Sequence, residues 1–304
     1  MTVSGASLAG RKAAAGHRPT IRLVVNADDL GISARVNDGI VLAHRSGIVT
    51  AASLMAVGRA FDHAVGCCRR VPSLDVGVHL TLVAETPLLP KASSLKGADG
   101  RFPASAGAFL RRFLSGRIRL ADIRAELGAQ IERVLDHGVK VTHLDSHQHV
   151  HALPGIAPLT LTLAARYGIA CVRAPVAKLQ LERASGLHGA FRLAGAMGLG
   201  ASWMTARAAG SRDAGLGRLR FLGFAEGGRL DQARLQRLLQ SLRPGHTYEL
   251  MCHPGLTPEE PDIQRWGYCH EQELQALTSA ATHALIAARG IQLCRYGDLL
   301  TSGF

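Results

Sequence analysis

The side chains best suited to chemistry fall into a few short strings. Asp28 and Asp29 are adjacent in VVNADDLG, and His79 lies in LDVGVHL. His143, Asp145, His147, His149 and His151 crowd into THLDSHQHVHALP, Arg173 ends IACVR, and His253 follows TYELMC. A mixed imidazole and carboxylate set suits zinc or another divalent transition metal, and a catalytic centre typically takes three protein ligands and leaves one position open for water. Asp29, His79 and one of the clustered histidines would supply that number. Such a cation lowers the pKa of water toward ~7 and polarises a carbonyl oxygen. The reaction class that needs both is hydrolysis of an amide or ester.

Spacing limits how many of these residues can act together. Five polar side chains alternating over eight residue steps would extend roughly 26 Å, so only two or three of the clustered set can serve one ion. One histidine at a strand end is ordinarily a hydrogen-bonded polar residue, and Asp-Asp before Leu-Gly is compatible with a plain turn and helix cap. The conjunction carries the chemical reading: five candidate strand ends bear Asp, His or Arg. His17, His44, His63, His137, His188, His246, His270 and His283 are read as structural or surface residues.

The elements that must position these groups alternate along the chain. Candidate strands are 21–26, 49–57, 74–80, 140–144, 169–173, 247–252 and 290–294, short runs rich in β-branched and apolar residues. Candidate helices between them are 34–46, 59–70, 120–137, 156–167, 231–242 and 271–289. This alternation predicts an α/β fold with a parallel sheet and helical crossovers, a deformed or partly closed β/α barrel first and an open doubly wound sheet second. In either, the C-terminal strand ends share one face, where active sites are built. Residues 84–118 and 178–228 break the alternation and are expected to be insertions over the barrel mouth, within a single domain spanning 19–304. Residues 1–18, small and basic, are expected to be a flexible tail.

Bulk properties narrow the function classes. The chain has 304 residues, 47% hydrophobic and 19% charged, enough to bury a large core. No apolar run reaches the ~20 residues that span a bilayer, and the first residues lack the apolar core of a secretory signal, so cytoplasmic residence is expected. The six cysteines form no CxxC pair and are expected to be reduced thiols. The formal charge of +12 comes with only 5% aromatics and no zinc-finger or RNP pattern, which argues against a nucleic-acid partner.

The strings VVNADDLG, SLMAVG, PSLDVGVHLTL, THLDSHQHVHALP and ELMCHPG run in order and, with the closing GIQLCRYGDLL, closely resemble the YdjC-like (ChbG) carbohydrate deacetylases from about residue 21 to residue 300. The resemblance implies a deformed β/α barrel holding a divalent metal, zinc first and magnesium second, on Asp29, His79 and His147. It implies that Asp28 is the base that deprotonates the attacking water and that His253 protonates the leaving amine. Arg173 would orient Asp28 or hold its charge. The implied substrate is an N-acetylated amino sugar. Members act on chitooligosaccharides, and the 84–118 and 178–228 regions look like a subgroup associated with an N-acetylglucosaminyl hopanoid. For that glycolipid, Leu187–Ala208 would be an interfacial element making peripheral membrane contact. A homodimer is a further implied partner state. Val176, where relatives carry an acidic residue, and GYCHE, where an Arg precedes the Glu in relatives, depart from the family pattern and bear on specificity.

Overall fold

The computed structural model describes residues 20–90, 93–175, 201, 204–205 and 219–301. Among the described residues there are eight strands: β1 (Ile21–Leu30), β2 (Ala51–Leu54), β3 (Asp75–Leu80), β4 (Val141–Ser146), β5 (Cys171–Val172), β6 (Leu219–Leu222), β7 (Thr247–Cys252) and β8 (Ile291–Leu293). They pair in the order β5-β4-β3-β2-β1-β7-β6, and every pairing is parallel. β1 is buried on both faces along nearly its whole length, which is why Leu23, Val24 and Val25 are consecutive apolar residues rather than an alternation, and why Asn26, Asp28 and Asp29 are buried polar groups.

The sheet curls without closing. β5 and β6 are its two ends, and among the described residues no pairing joins them. β8 shares one edge of β1 with β2: Ile21–Leu23 pair with β8, whereas Asn26, Ala27 and Leu30 pair with β2. The result is the α/β, partly closed parallel barrel expected from the alternation. Helices α1 (Ala34–Ser46), α2 (Phe61–Arg70), α3 (Ala106–Leu114), α4 (Leu120–Asp136), α5 (Ala157–Arg166), α6 (Gln232–Ser241), α7 (Pro261–Gln264), α8 (His270–Thr278), α9 (Ala280–Ala288) and α10 (Tyr296–Thr301) accompany it. Ile40, Ile123, Leu127, Leu235 and Leu277 of these helices are fully buried in the core shared with the strands. α10 caps the bottom of the barrel, where Gly297 N–H donates to Asp75.

Several elements differ from expectation for local reasons. β2 is four residues rather than nine, because Met55 N–H turns to the carbonyl of Leu30 at 2.7 Å and ends the regular pairing. β4 runs two residues further than expected, through Asp145 and Ser146. The single helix expected over 271–289 is two, broken at Ser279, whose hydroxyl accepts from Thr282 N–H and starts α9. β6 lies inside the stretch expected to be an insertion. Within 84–118 the chain forms a 3-10 turn at Ser93–Leu95 and helix α3, with Phe102 and Phe109 buried. The expected tail, most of 178–228, Leu187–Ala208 as a continuous element and Val176 lie outside the described residues. Among the described residues no helix is long and apolar enough to cross a membrane.

Candidate metal centre

Adjacent residues of a regular strand point to opposite faces, so Asp28 and Asp29 should not serve one site. β1 solves this with an irregularity. Between Ala27 and Leu30 its register against β2 shifts by one residue, and Asp29 takes φ of 65°. A left-handed conformation in a residue with a Cβ costs on the order of 1–3 kcal/mol and persists only where neighbours enforce it. Here the clamps are Met55 N–H on the Leu30 carbonyl, Ala60 N–H on the Gly31 carbonyl and Asn37 Oδ1 on Gly31 N–H at 2.6 Å. Both carboxylates are thereby buried, and both lie close to His79.

Asp29, His79 and His147 bring one ligand atom each to within 4.8 Å of one another. Asp29 Oδ1 lies 2.8 Å from His147 Nδ1 and 3.2 Å from His79 Nε2. His79 comes from the end of β3 and His147 from the turn that follows β4. That turn holds Gln148 and His149 at φ of 54° and 56°. Gln148 Oε1 in turn accepts from Ala106 N–H at the start of α3, which ties the 84–118 excursion to the site.

Two observations show that a cation fits here. Asp29 Oδ2 and His147 Nε2 are buried with no hydrogen-bond partner, and such groups are costly unless something pairs with them. Asp28, Asp29, Asp145 and Glu249 also set four buried carboxyl groups against the one guanidinium of Arg173. Burial alone would lower the His79 pKa, yet the charge and hydrogen bonds of Asp145 and Asp29 raise it to about 10. Burial would raise Asp29, but His147 and His79 hold it well below the usual carboxylate range.

Two other groupings suit a cation less well. Asp28 and Asp145 also converge with His79, but both carboxylates are bonded to Arg173, whose positive charge opposes a metal. Asp38, His63 and Cys67 lie between α1 and α2, with Arg70 donating to the Cys67 sulfur at 3.2 Å.

Beneath the ligand set lies a buried polar network. Arg173 donates to Asp28 Oδ2 at 2.6 Å and Oδ1 at 2.7 Å, to Asp145 at 2.9 Å and to Glu249 at 2.5 Å. Asn26 and Ser53 complete it: Asn26 donates to Asp28 Oδ1 and to Ser53, and Ser53 donates to Asp145 Oδ2 at 2.7 Å. The other oxygen of Asp145 bonds His79 Nδ1 at 2.8 Å, leaving Nε2 turned toward Asp29. A carboxylate in this position fixes the ring orientation and raises the basicity of the other nitrogen, as it does for metal-binding histidines.

His253, at the end of β7, is buried. Its Nδ1 accepts from Gly228 N–H at 3.3 Å, so the ring proton is assigned to Nε2. Burial lowers its pKa to about 4, which keeps the ring neutral. Its own N–H donates to Glu273 at 2.5 Å; burial raises that carboxyl to about 7 against the pull of two backbone N–H donors.

The structure brings Asp28, Asp29, His79, His147 and Arg173 into one connected cluster, with His253 beside it. The other histidines of the THLDSHQHVHALP string take separate places. His143 points down the barrel, accepts or donates at Ser53 and stacks on Tyr296 at 3.9 Å. His151 bonds the Ser146 hydroxyl and the Arg173 carbonyl. His149 stacks on Phe224. Sequence reasoning missed Asp145 as the partner of His79, and Ser53, Glu249 and Glu273 altogether. Glu249 did carry a signal, as the lone charge in the apolar strand TYELMC.

Comparison with known proteins places the chain in a family. The YdjC-like protein family matches residues 22–288. A carbohydrate deacetylase of Geobacillus stearothermophilus is 33% identical over 90% of this chain and 96% of its own. A chitooligosaccharide deacetylase of Klebsiella pneumoniae is 34% identical over 91% of this chain and 98% of its own. A carbohydrate deacetylase of Brevibacillus brevis is 43% identical over a shorter stretch, 49% of this chain and 58% of its own. The crystal structure of an Enterococcus faecalis protein, 24% identical, shares the fold with a TM-score of 0.70 over 92% of this chain and 99% of that one. From the metal-type triad at the strand ends to the span of these matches, the chain belongs to the YdjC-like family.

Proposed function

We propose that this chain is a metal-dependent hydrolase that removes the acetyl group from an N-acetylated amino sugar, releasing acetate and the free amine. One observation carries the reading. An Asp-His-His set, two members of which carry a buried side-chain atom without a hydrogen-bond partner, stands beside a second carboxylate, Asp28, which an arginine holds in place. The names of the Geobacillus and Klebsiella relatives support an acetylated sugar as substrate.

Asp29, His79 and His147 would hold the cation, zinc in the first instance and magnesium in the second. When bound, it would polarise the acetyl carbonyl and acidify water. Asp28 accepts the proton of the attacking water as its oxygen bonds to the acetyl carbon. Arg173 keeps both Asp28 oxygens oriented, and Asn26 adds a third donor. The neutral ring of His253 changes the role drawn from the resemblance. Its Nε2–H steadies the departing nitrogen as a hydrogen-bond donor, and the proton that Asp28 took from water is the one returned to that nitrogen as the C–N bond breaks.

Acetate release tests the proposal, with metal-loaded wild type and Asp28→Asn compared on chitooligosaccharides and on a lipid-linked N-acetylglucosamine such as a hopanoid. Activity that collapses in Asp28→Asn while metal content stays equal is the expected result. A wild type that binds metal and releases acetate from none of them would overturn it.

A further inference from the structure

Chemistry on the acetamido group requires that the sugar ring be held at a fixed place beside the two histidines that flank the reaction. The segment after α7 is built for that task. Trp266 is half-buried, with its ring 4.8 Å from that of His147 and inclined by 33°. Tyr268, two residues on, lies 4.8 Å from His253 at 62°, and the two aromatic rings are 5.8 Å apart at 64°. The chain has only two tryptophans, Trp203 and Trp266. One of them is therefore spent on the histidine that belongs to the ligand set.

The backbone that carries the two rings is tied to its surroundings. Asp262 in α7 is gripped by the Arg59 guanidinium at 2.7 and 3.1 Å, and Arg101 comes within 3.8 Å. Cys269 N–H donates to the Gly228 carbonyl at 2.7 Å, and Trp266 N–H donates to Ile263. Gly228 has φ of 74°, and a Cβ there would lie 2.3 Å from the Tyr268 ring, so Tyr268 packs directly on glycine backbone. The backbone that supports Tyr268 is the same one that donates to His253 Nδ1. Rings fixed before a ligand arrives lose little conformational freedom on binding.

A pyranose presents axial C–H groups on its faces and hydroxyls at its rim. Apolar aromatic surface with a few convergent polar groups is the usual lining of a small-ligand site. We infer that Trp266 and Tyr268 form the bed on which the pyranose carrying the acetamido group lies, so that the site selects N-acetylated hexosamine rings over simple acetamides. The inference rests on the deacetylase reading above and adds to it the residues that choose the ring.

The test uses the full chain loaded with zinc. In Trp203→Phe, Trp266 is the sole tryptophan, and its emission is followed during titration with N-acetylglucosamine oligomers and, separately, with N-methylacetamide. A saturable change with the sugar and none with the amide is expected. Trp266→Ala is expected to raise KM for the sugar by about tenfold, the size of one lost ring contact, with kcat much less affected. Trp266→Phe is expected to restore most of the loss, and Tyr268→Ala to act in the same direction as Trp266→Ala. Melting temperature and zinc content of each variant confirm folding. Acetate release with an unchanged KM in Trp266→Ala, or a silent Trp266 during sugar titration, overturns the bed. If wild type releases no acetate, the deacetylase reading fails by itself, and the titration still decides whether the rings bind a sugar.

Discussion

Arg173 grips Asp28 with two near-parallel hydrogen bonds of 2.6 and 2.7 Å, one to each carboxylate oxygen, in a site closed to solvent. Such a fork demands a planar guanidinium, and lysine cannot reproduce it. Arg173→Lys is therefore expected to keep its metal while kcat falls by about 100-fold, the cost of a displaced base. Metal content beside steady-state kinetics checks this. A variant that binds metal normally with kcat unchanged would show that Asp28 needs no such grip.

Asp145→Asn separates ligand orientation from ligation. The amide preserves the shape but removes the charge that fixes His79 through Nδ1. Loss of such a partner typically weakens metal binding by about 10–100-fold. Competition for zinc with a chromogenic chelator measures the shift, and an affinity equal to wild type would rule out the orienting role.

Gly77 marks a close contact inside the barrel. A Cβ at this position would lie 2.4 Å from the His143 ring, which is itself wedged between Ser53 and Tyr296. Gly77→Ala is expected to destabilise by about 1–3 kcal/mol through overpacking, read as a lower denaturant midpoint. His143→Ala in the same chain should recover part of that loss, because it vacates the space.

Stability should fall in mild acid for an identifiable reason. Burial lowers His143, His151 and His253 to about 4 in the folded chain. The unfolded histidines titrate near 6.5. A lowered folded value means that the stabilisation is complete above the unfolded pKa and is lost as pH drops through the folded one. The urea midpoint is thus expected to decline between pH 6.5 and 4, and less steeply in His143→Gln. A midpoint flat across that window would contradict the neutral, buried assignment of these rings.

The sequence disclosed the site by residue type and the fold by alternation, and the two failed in different places. Asp29, His79 and the histidine cluster of THLDSHQHVHALP stood out because each closes or follows a strand of a parallel sheet, where side chains from distant segments meet; only the family resemblance pointed to His147 within that cluster. Asp145 lay in the same string but could not be told from its neighbours, since its task depends on which ring it faces. Ser53 is one small residue in AASLMA, and nothing local shows that it joins Asn26 to Asp145. β6 was hidden for another reason. Four residues, LRFL, in an Arg- and Gly-rich stretch hold a strand only because β7 offers them an open edge. The paired use of Asp28 and Asp29 was legible, whereas the irregularity that permits it was not. A bulge is a property of two strands together.

The placement of β1 has a consequence for how the protein is made. This strand carries Asp28 and Asp29, and it is made before the other described strands. Its neighbour β7 lies far along the chain, with Cys252 bonding the Asn26 carbonyl across 226 residues, and β8 comes later still. Contacts of such long sequence separation form slowly. During synthesis the two aspartates must therefore wait, with one edge of their strand unpaired, until nearly the whole described chain has been made. Such an interval favours aggregation and shielding by chaperones. Assembly of the proposed metal centre accordingly waits on β7, although Asp29 is made well before it.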